Sequence, residues 1–312
     1  MLKIENVSFN IAGQLLFTNA NAFISEGSKV GIVGRNGSGK STLFKLIQNR
    51  STLDSGEIKI RKGISIGEIS QEIPNGYQTV IETILCADKE RQALLASKEK
   101  AVCADEIGRI QERLIDIEAY SAEARASKIL YGLGFGAEDQ KRTCNEFSGG
   151  WQMRISLAKI LFSSPDLLLL DEPTNFLDLE GSIWLENFLK NYQKTFLLIS
   201  HDRTILTNSV TSILHVSQKK LTSFVGNYDK FVKSYNQTLV RESAIYKKSE
   251  NKKKKINKFV ERFRAKASKA KQAQSRLKAL EKMASSPPTS MNSITSFVIP
   301  EVESLSPPML VL

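Results

Sequence analysis

The sequence is poor in several residue types, and each shortage excludes something. It has only three cysteines, Cys86, Cys103 and Cys144, in 312 residues. Their number is odd and their spacing fits no metal site, so neither a disulfide framework nor a zinc module is expected, and reduced thiols in a cytosolic setting are. No apolar run approaches the roughly 20 residues that a membrane-spanning helix requires, and no signal-peptide pattern opens the chain. Histidine occurs only twice, at His201 and His215. Acidic residues are also short, with 33 against 44 Lys and Arg, a formal net charge of +11.

That surplus is confined to one segment. From Lys247 to Lys282 there are 15 Lys or Arg and three Glu, a net +12, so the remainder of the chain sums to −1. Within it Ile256, Phe259, Val260, Phe263, Ala267, Ala270, Ala273, Leu277 and Leu280 recur every three or four residues. The pattern predicts a helix with a narrow apolar seam and a lysine-coated remainder, paired with a preceding helix from about Tyr235 to Lys248. A solvated helix usually mixes both charge signs, whereas one this basic repels itself and suits a polyanion such as nucleic acid.

What the chain does have is a set of short motifs in order. Lys29-Val30-Gly31-Ile32-Val33-Gly34 reads as a buried strand. It runs through Gly34, Asn36, Gly37, Ser38, Gly39, Lys40, Ser41 and Thr42 into an apolar helical pattern. Strand, Gly-x-x-x-x-Gly-Lys-Ser and helix form the context of a phosphate-binding loop. The glycines let the backbone wrap the phosphates, and the loop N–H groups and helix N-terminus face the anion. Lys40 would reach the β- and γ-phosphates, and the Ser41 hydroxyl would take Mg²⁺.

Further along, Leu167-Leu168-Leu169-Leu170 ends at Asp171-Glu172. Four leucines describe a fully buried parallel strand whose C-terminal edge presents two acids. Asp171 would hold Mg²⁺ through water, and Glu172 would orient or deprotonate the attacking water. Phe196-Leu197-Leu198-Ile199-Ser200 gives another buried strand, with His201 at its tip as a γ-phosphate contact. Between these motifs, a polar helix from Lys89 to Lys100 precedes a helical stripe at Ile107, Ile110, Leu114 and Ile117.

Together these motifs resemble the ATP-binding cassette (ABC) ATPases over residues 1 to about 235. Glu146-Phe147-Ser148-Gly149-Gly150-Trp151-Gln152-Met153-Arg154 looks like the family's signature, Gln71 like its Q-loop glutamine, Asn175-Phe176-Leu177-Asp178 like its D-loop, and His201 like its switch histidine. The resemblance implies an α/β P-loop NTPase cassette with a mixed sheet and a helical subdomain, followed by a basic helical linker. It implies ATP and Mg²⁺ as ligands, with Gln71 joining Ser41 and Asp171 around the metal and Glu172 and His201 at the γ-phosphate. It also implies that Ser148, Gly149 and Gly150 serve a nucleotide held by a second cassette. Two departures stand out. Ile11, with Phe9 the nearest aromatic, fills the place where the family often stacks adenine, and Phe176 stands where a histidine is common.

A cassette followed by a basic linker is similar to the ABC-F proteins, two-cassette chains with no membrane domain whose linkers reach transfer RNA on the ribosome. The expected organisation is a cassette over 1–235, with a helical arm or subdomain at about 72–165, a basic linker over 236–283, and a Ser/Pro-rich tail over 284–312. Met309-Leu310-Val311-Leu312 echoes Met1-Leu2-Lys3-Ile4, which suggests a repeat cut off at its first strand. The leading expectation is a cytoplasmic, ribosome-associated ATPase whose cassette pairs with a missing C-terminal half or with another copy. The alternatives are the ATPase subunit of a transporter and a truncated fragment that binds ATP without turnover.

Overall fold

In the computed structural model, residues 1–69, 78–101 and 103–263 are described. Gln71, the linker beyond Phe263 and the tail with its terminal echo lie outside them. The chain divides into two compact units, Met1–Lys233 and Ser234–Leu312.

The first unit is built on two sheets. β1 (Leu2–Ile11), β2 (Gln14–Ile24) and β4 (Ser55–Ile60) form an antiparallel sheet ordered β2-β1-β4. The second is six-stranded, ordered β5-β6-β7-β3-β8-β9. It contains β3 (Lys29–Gly34), β5 (Ile66–Glu68), β6 (Leu167–Asp171), β7 (Thr195–Ile199), β8 (Ser212–Ser217) and β9 (Lys220–Val225). Its first five strands run parallel and β9 pairs antiparallel to β8, so the sheet is mixed as the family resemblance implies. β6 and β7 lie between neighbours and under cover on both faces, which is why their sequences are nearly continuous apolar runs.

Helix α1 (Lys40–Ile47) buries Leu43, Phe44, Leu46 and Ile47. These side chains join Leu2, Ile4 and Phe17 of the first sheet and Ile32, Leu169 and Leu197 of the second in one core. The phosphate-loop helix is therefore anchored by both sheets through its apolar face.

A helical region follows β5, containing α2 (Val80–Leu85), α3 (Lys89–Lys100), α4 (Ala104–Asp116), α5 (Ala122–Gly132) and α6 (Gly149–Ser163). Thr79 caps α2 with a capping box closed by Glu82. α3 occupies the predicted residues, and Ile110 and Leu114 of the predicted stripe are buried against Leu94 and Leu95. α7 (Leu179–Asn191) and α8 (Arg203–Ser209) flank β7 in sequence.

The basic segment differs from the expected helix pair. α9 runs unbroken from Tyr228 to Phe263, through the junction at Lys248. The reason is local: this stretch holds no Gly or Pro to end the helix. Its first turn is fixed within the first unit, where Phe231 packs on His215 and Phe224 at centroid distances of 5.2 and 5.1 Å.

Candidate phosphate-binding site

Strand order decides what meets at the C-terminal edge of the parallel sheet. β6, β7 and β3 are adjacent, so the ends of three strands bring Gly34, Asp171 and Ile199 together. A cavity of about 320 Å³ opens there, lined by Asn36, Gly37, Gly39, Lys40, Ser41, Thr42, Asp171, Glu172 and His201, with Leu16 and Ile199. Segments separated by well over a hundred residues in sequence thus form one wall.

The loop itself needs its glycines. Gly37 and Gly39 take φ of 75° and 97°, in the left-handed region that L-residues rarely adopt. A Cβ on Gly34 would lie 2.7 Å from both Ser38 Oγ and the Val216 carbonyl oxygen. Lys40 Nζ donates to the carbonyls of Gly34 at 3.0 Å and Arg35 at 3.2 Å, so its charge lies over the loop. Ser38 Oγ is buried beside it without a hydrogen-bond partner, an unmet polar group of the kind that a phosphate site leaves for its ligand.

Glu172 is held from two sides. Its N–H donates to the Ile199 carbonyl at 2.9 Å, and its Oε2 accepts from the His201 N–H at 3.2 Å. The His201 ring Nε2 stands 3.3 Å from Glu172 Oε1. The backbone at Glu172 is left-handed, φ 48° and ψ 52°, a conformation that costs about 1–3 kcal/mol in a non-glycine residue and gathers at functional sites. Asp202 caps α8 by accepting from the Thr204 N–H at 2.8 Å, which fixes the turn carrying His201.

A second cavity of about 750 Å³ shares Ser41, Asp171 and Glu172 with the first and adds Lys45, Arg50, Glu68, Met153, Asn175 and Phe176. Among the described residues no cluster of three or more Asp, Glu, His or Cys forms a ready-made metal cage. A hydroxyl at Ser41 and a carboxylate at Asp171 are hard oxygen donors of the kind that Mg²⁺ combines with substrate phosphates. The site therefore fits a magnesium-bound polyphosphate.

The signature residues are not part of this wall. Ser148 is the N-cap of α6 and lines a separate cavity with Asp139, Arg142, Glu146, Phe147 and Trp151. Gly149 and Gly150 are exposed, and a Cβ on either would meet nothing within 4 Å. Neither has a positive φ. Among the described residues nothing requires their smallness.

One structurally central residue, the last of the signature string, has no role of its own in the sequence reading. Arg154 is only 11 % exposed in its side chain and sits where three segments meet. It donates to the Phe176 carbonyl at 2.6 Å, to the Leu133 carbonyl at 3.2 Å and to Asp178 Oδ2 at 3.0 Å. Its guanidinium also covers the Trp151 ring at 4.5 Å. The available signal is its spacing, since a residue three positions after Trp151 shares its helix face.

A family model described as ABC transporter matches residues 17–175, about half of the chain. A second model of the same description, for an extension of such cassettes, matches residues 214–296. Over 313 residues the chain is 39% identical to the Probable ATP-binding protein YheS of Escherichia coli K12, covering 99% of this chain and 49% of that protein. Over 323 residues it is 37% identical to the human ATP-binding cassette sub-family F member 3, covering 100% of this chain and 45% of that one. The chain thus spans about half the length of these relatives. Among solved structures it is similar in fold to the dimeric ATP-binding cassette MJ0796 in a post-hydrolysis state with ADP and Pi. That match has a TM-score of 0.52 at 22% identity, covering 72% of this chain and 98% of that one.

Proposed function

The chain belongs to the ABC-F family of ATP-binding cassette proteins, and we propose that it hydrolyses ATP when a second cassette closes on it and that its basic helix contacts ribosomal RNA. The observation that carries the catalytic part is the convergence of Lys40, Ser41, Asp171, Glu172 and His201 on one cavity at the sheet edge.

In this reading the loop N–H groups and Lys40 bind the β- and γ-phosphates, and the N-terminus of α1 adds its dipole. Mg²⁺, held through Ser41 and Asp171 with Gln71 as a further ligand, would neutralise charge on the same phosphates. Glu172, fixed by the His201 N–H, orients the attacking water and accepts its proton, while the His201 ring contacts the γ-phosphate. Ser148, Gly149 and Gly150 offer the start of α6 to the nucleotide of the facing cassette. The open space around those two glycines supports that role, because a partner's phosphates can approach the backbone closely.

The RNA part rests on charge. From Lys247 to Lys258, α9 carries seven lysines and one glutamate, and a phosphate backbone is the polyanion that such a helix attracts. A cytoplasmic protein docking its linker on the ribosome fits that composition, and no described helix is long and apolar enough to cross a membrane.

The test is turnover measured against protein concentration. Activity per chain should rise as chains associate and vanish in Glu172→Gln, with nucleotide binding retained. A demonstrably monomeric sample turning over at roughly 1 per second or faster would refute the need for a second cassette. For the helix, neutralising Lys252 to Lys255 should weaken ribosome binding and flatten its salt dependence, by a log–log slope of about one per lost phosphate contact. Unchanged binding would remove the helix from the interaction.

A further inference from the structure

A further cavity of about 570 Å³ shares no lining residue with the two at the sheet edge. It lies where α5 and the end of α6 face α7, beside the turns that lead into β6 and β7. Its volume is that of a small-molecule site. Its floor is aromatic. Trp184, Phe188 and Tyr192 follow one another at intervals of four residues along α7 and its C-cap, so helical spacing sets them on one face. The ring centroids are 5.3 Å apart for the first pair and 6.0 Å for the second. All three rings line the cavity, as does Phe162 of α6.

The floor is held rigidly. Gly132 of α5 comes so close that a Cβ would fall 2.0 Å from Trp184 Cε2, and the Tyr192 hydroxyl donates to the Pro165 carbonyl at 2.6 Å. Tyr192 is buried, whereas Trp184, Phe188 and Phe162 are half-buried and keep ring surface open to the cavity. The rim carries one sign of charge. Arg125 and Lys128 of α5 line it together with Lys194, and no Asp or Glu does. Glu118 stands 3.6 Å from Arg125 and Asp166 stands 3.0 Å from Lys194. Lys128 has no hydrogen-bond or ion-pair partner among the described residues.

We propose that this cavity is a second ligand site, for a small planar aromatic carboxylate or sulfonate. The ring system lies against Trp184 and Phe188, where aromatic pairs gain beyond simple burial, and the anionic group meets Lys128. An occupant would bridge α5 to α7, and so join the helical region to the helix that begins at the D-loop.

Fluorescence titration of the full chain with 8-anilinonaphthalene-1-sulfonate tests this. The probe should bind once per chain, with a dissociation constant on the order of tens of µM, as ordinary ligand efficiency gives for a molecule of its size. Phe188→Ala should weaken binding about tenfold. Since that variant can also disturb α7, the deciding one is Lys128→Glu, at an exposed position. It should melt like the parent, bind the sulfonate about 5-fold or more weakly, and bind uncharged N-phenyl-1-naphthylamine as the parent does. Equal sulfonate affinity in the parent and Lys128→Glu, or no saturable binding below about 1 mM, would overturn the proposal. Loss of binding in Lys40→Ala would put the probe in the phosphate cavity, and affinity that falls as the chain is concentrated would show a second copy covering the groove. Either result also overturns it.

Discussion

Arg154, on the helix that opens with the signature, and Asp178, at the head of α7, are joined by a 3.0 Å ion pair. Asp178 also accepts from the Gly181 N–H at 2.8 Å, so the carboxylate that caps α7 is the one that grips α6. The Gly181 N–H and then Arg154 hold its pKa below the usual carboxylate value. The signature helix and the D-loop are thereby mechanically one piece.

Arg154→Met should loosen both ends of that link. The expected cost is about 2–3 kcal/mol, because two carbonyls and a carboxylate lose a charged donor. Amide hydrogen exchange should rise in residues 148–152 and 175–181 together. Faster exchange in only one segment would show that they are not coupled. Since the folded carboxylate has a lowered pKa, its contribution is present above the ordinary carboxylate range. It is lost as pH falls through the lower folded value.

Two glycines should respond in opposite ways to alanine. Gly39→Ala places a Cβ at φ 97° and against Phe17, so stability should fall by more than about 1 kcal/mol and nucleotide affinity with it. Gly150→Ala meets open space, and stability should hold or rise by up to about 1 kcal/mol. Its effect should appear only in turnover by associated chains. Thermal unfolding with nucleotide titration separates the cases, and a destabilised Gly150→Ala would contradict the open-space reading.

Gly132 is fixed by a neighbour from another helix. A Cβ there would fall 2.0 Å from Trp184 Cε2 on α7, so Gly132→Ala should cost about 1–3 kcal/mol through overpacking. Pairing it with Trp184→Leu should give back part of that cost, as neighbours in contact are non-additive. Strict additivity of the two substitutions in denaturant unfolding would mean that the contact is not what excludes a side chain.

His215 is half-buried beside Phe224 and Phe231, and that partial burial pushes its pKa below the ordinary 6.5. A lowered folded value means that the unfolded chain binds the proton more readily. Stability is then full above pH 6.5 and declines as pH falls below it. His215→Phe should remove that slope from the melting temperature measured between about pH 6.5 and 5. A slope that persists unchanged would assign it to other groups.

Much of this protein is legible in one dimension because its chemistry is written in backbone-dictated strings. Gly34 to Ser41 needs glycines where φ turns positive, and Leu167 to Glu172 must be apolar until the strand leaves the sheet. Those constraints act within a few residues, so order and spacing expose the cassette, the mixed sheet and the candidate wall of the site. The local absence of Gly and Pro likewise allows α9 to continue past Lys248, where an apolar seam alone suggests two helices. Other features depend on which elements become neighbours. Strand order puts β6 beside β7 and so gives Glu172 its support from His201. The packing of β1 and β2 on the core turns Phe9 and Phe17 inward and leaves Leu16 at the cavity, and the meeting of α6 with the D-loop makes Arg154 a junction. Each of these is a contact between segments far apart in sequence, specified by shape and burial, and only the folded chain decides it.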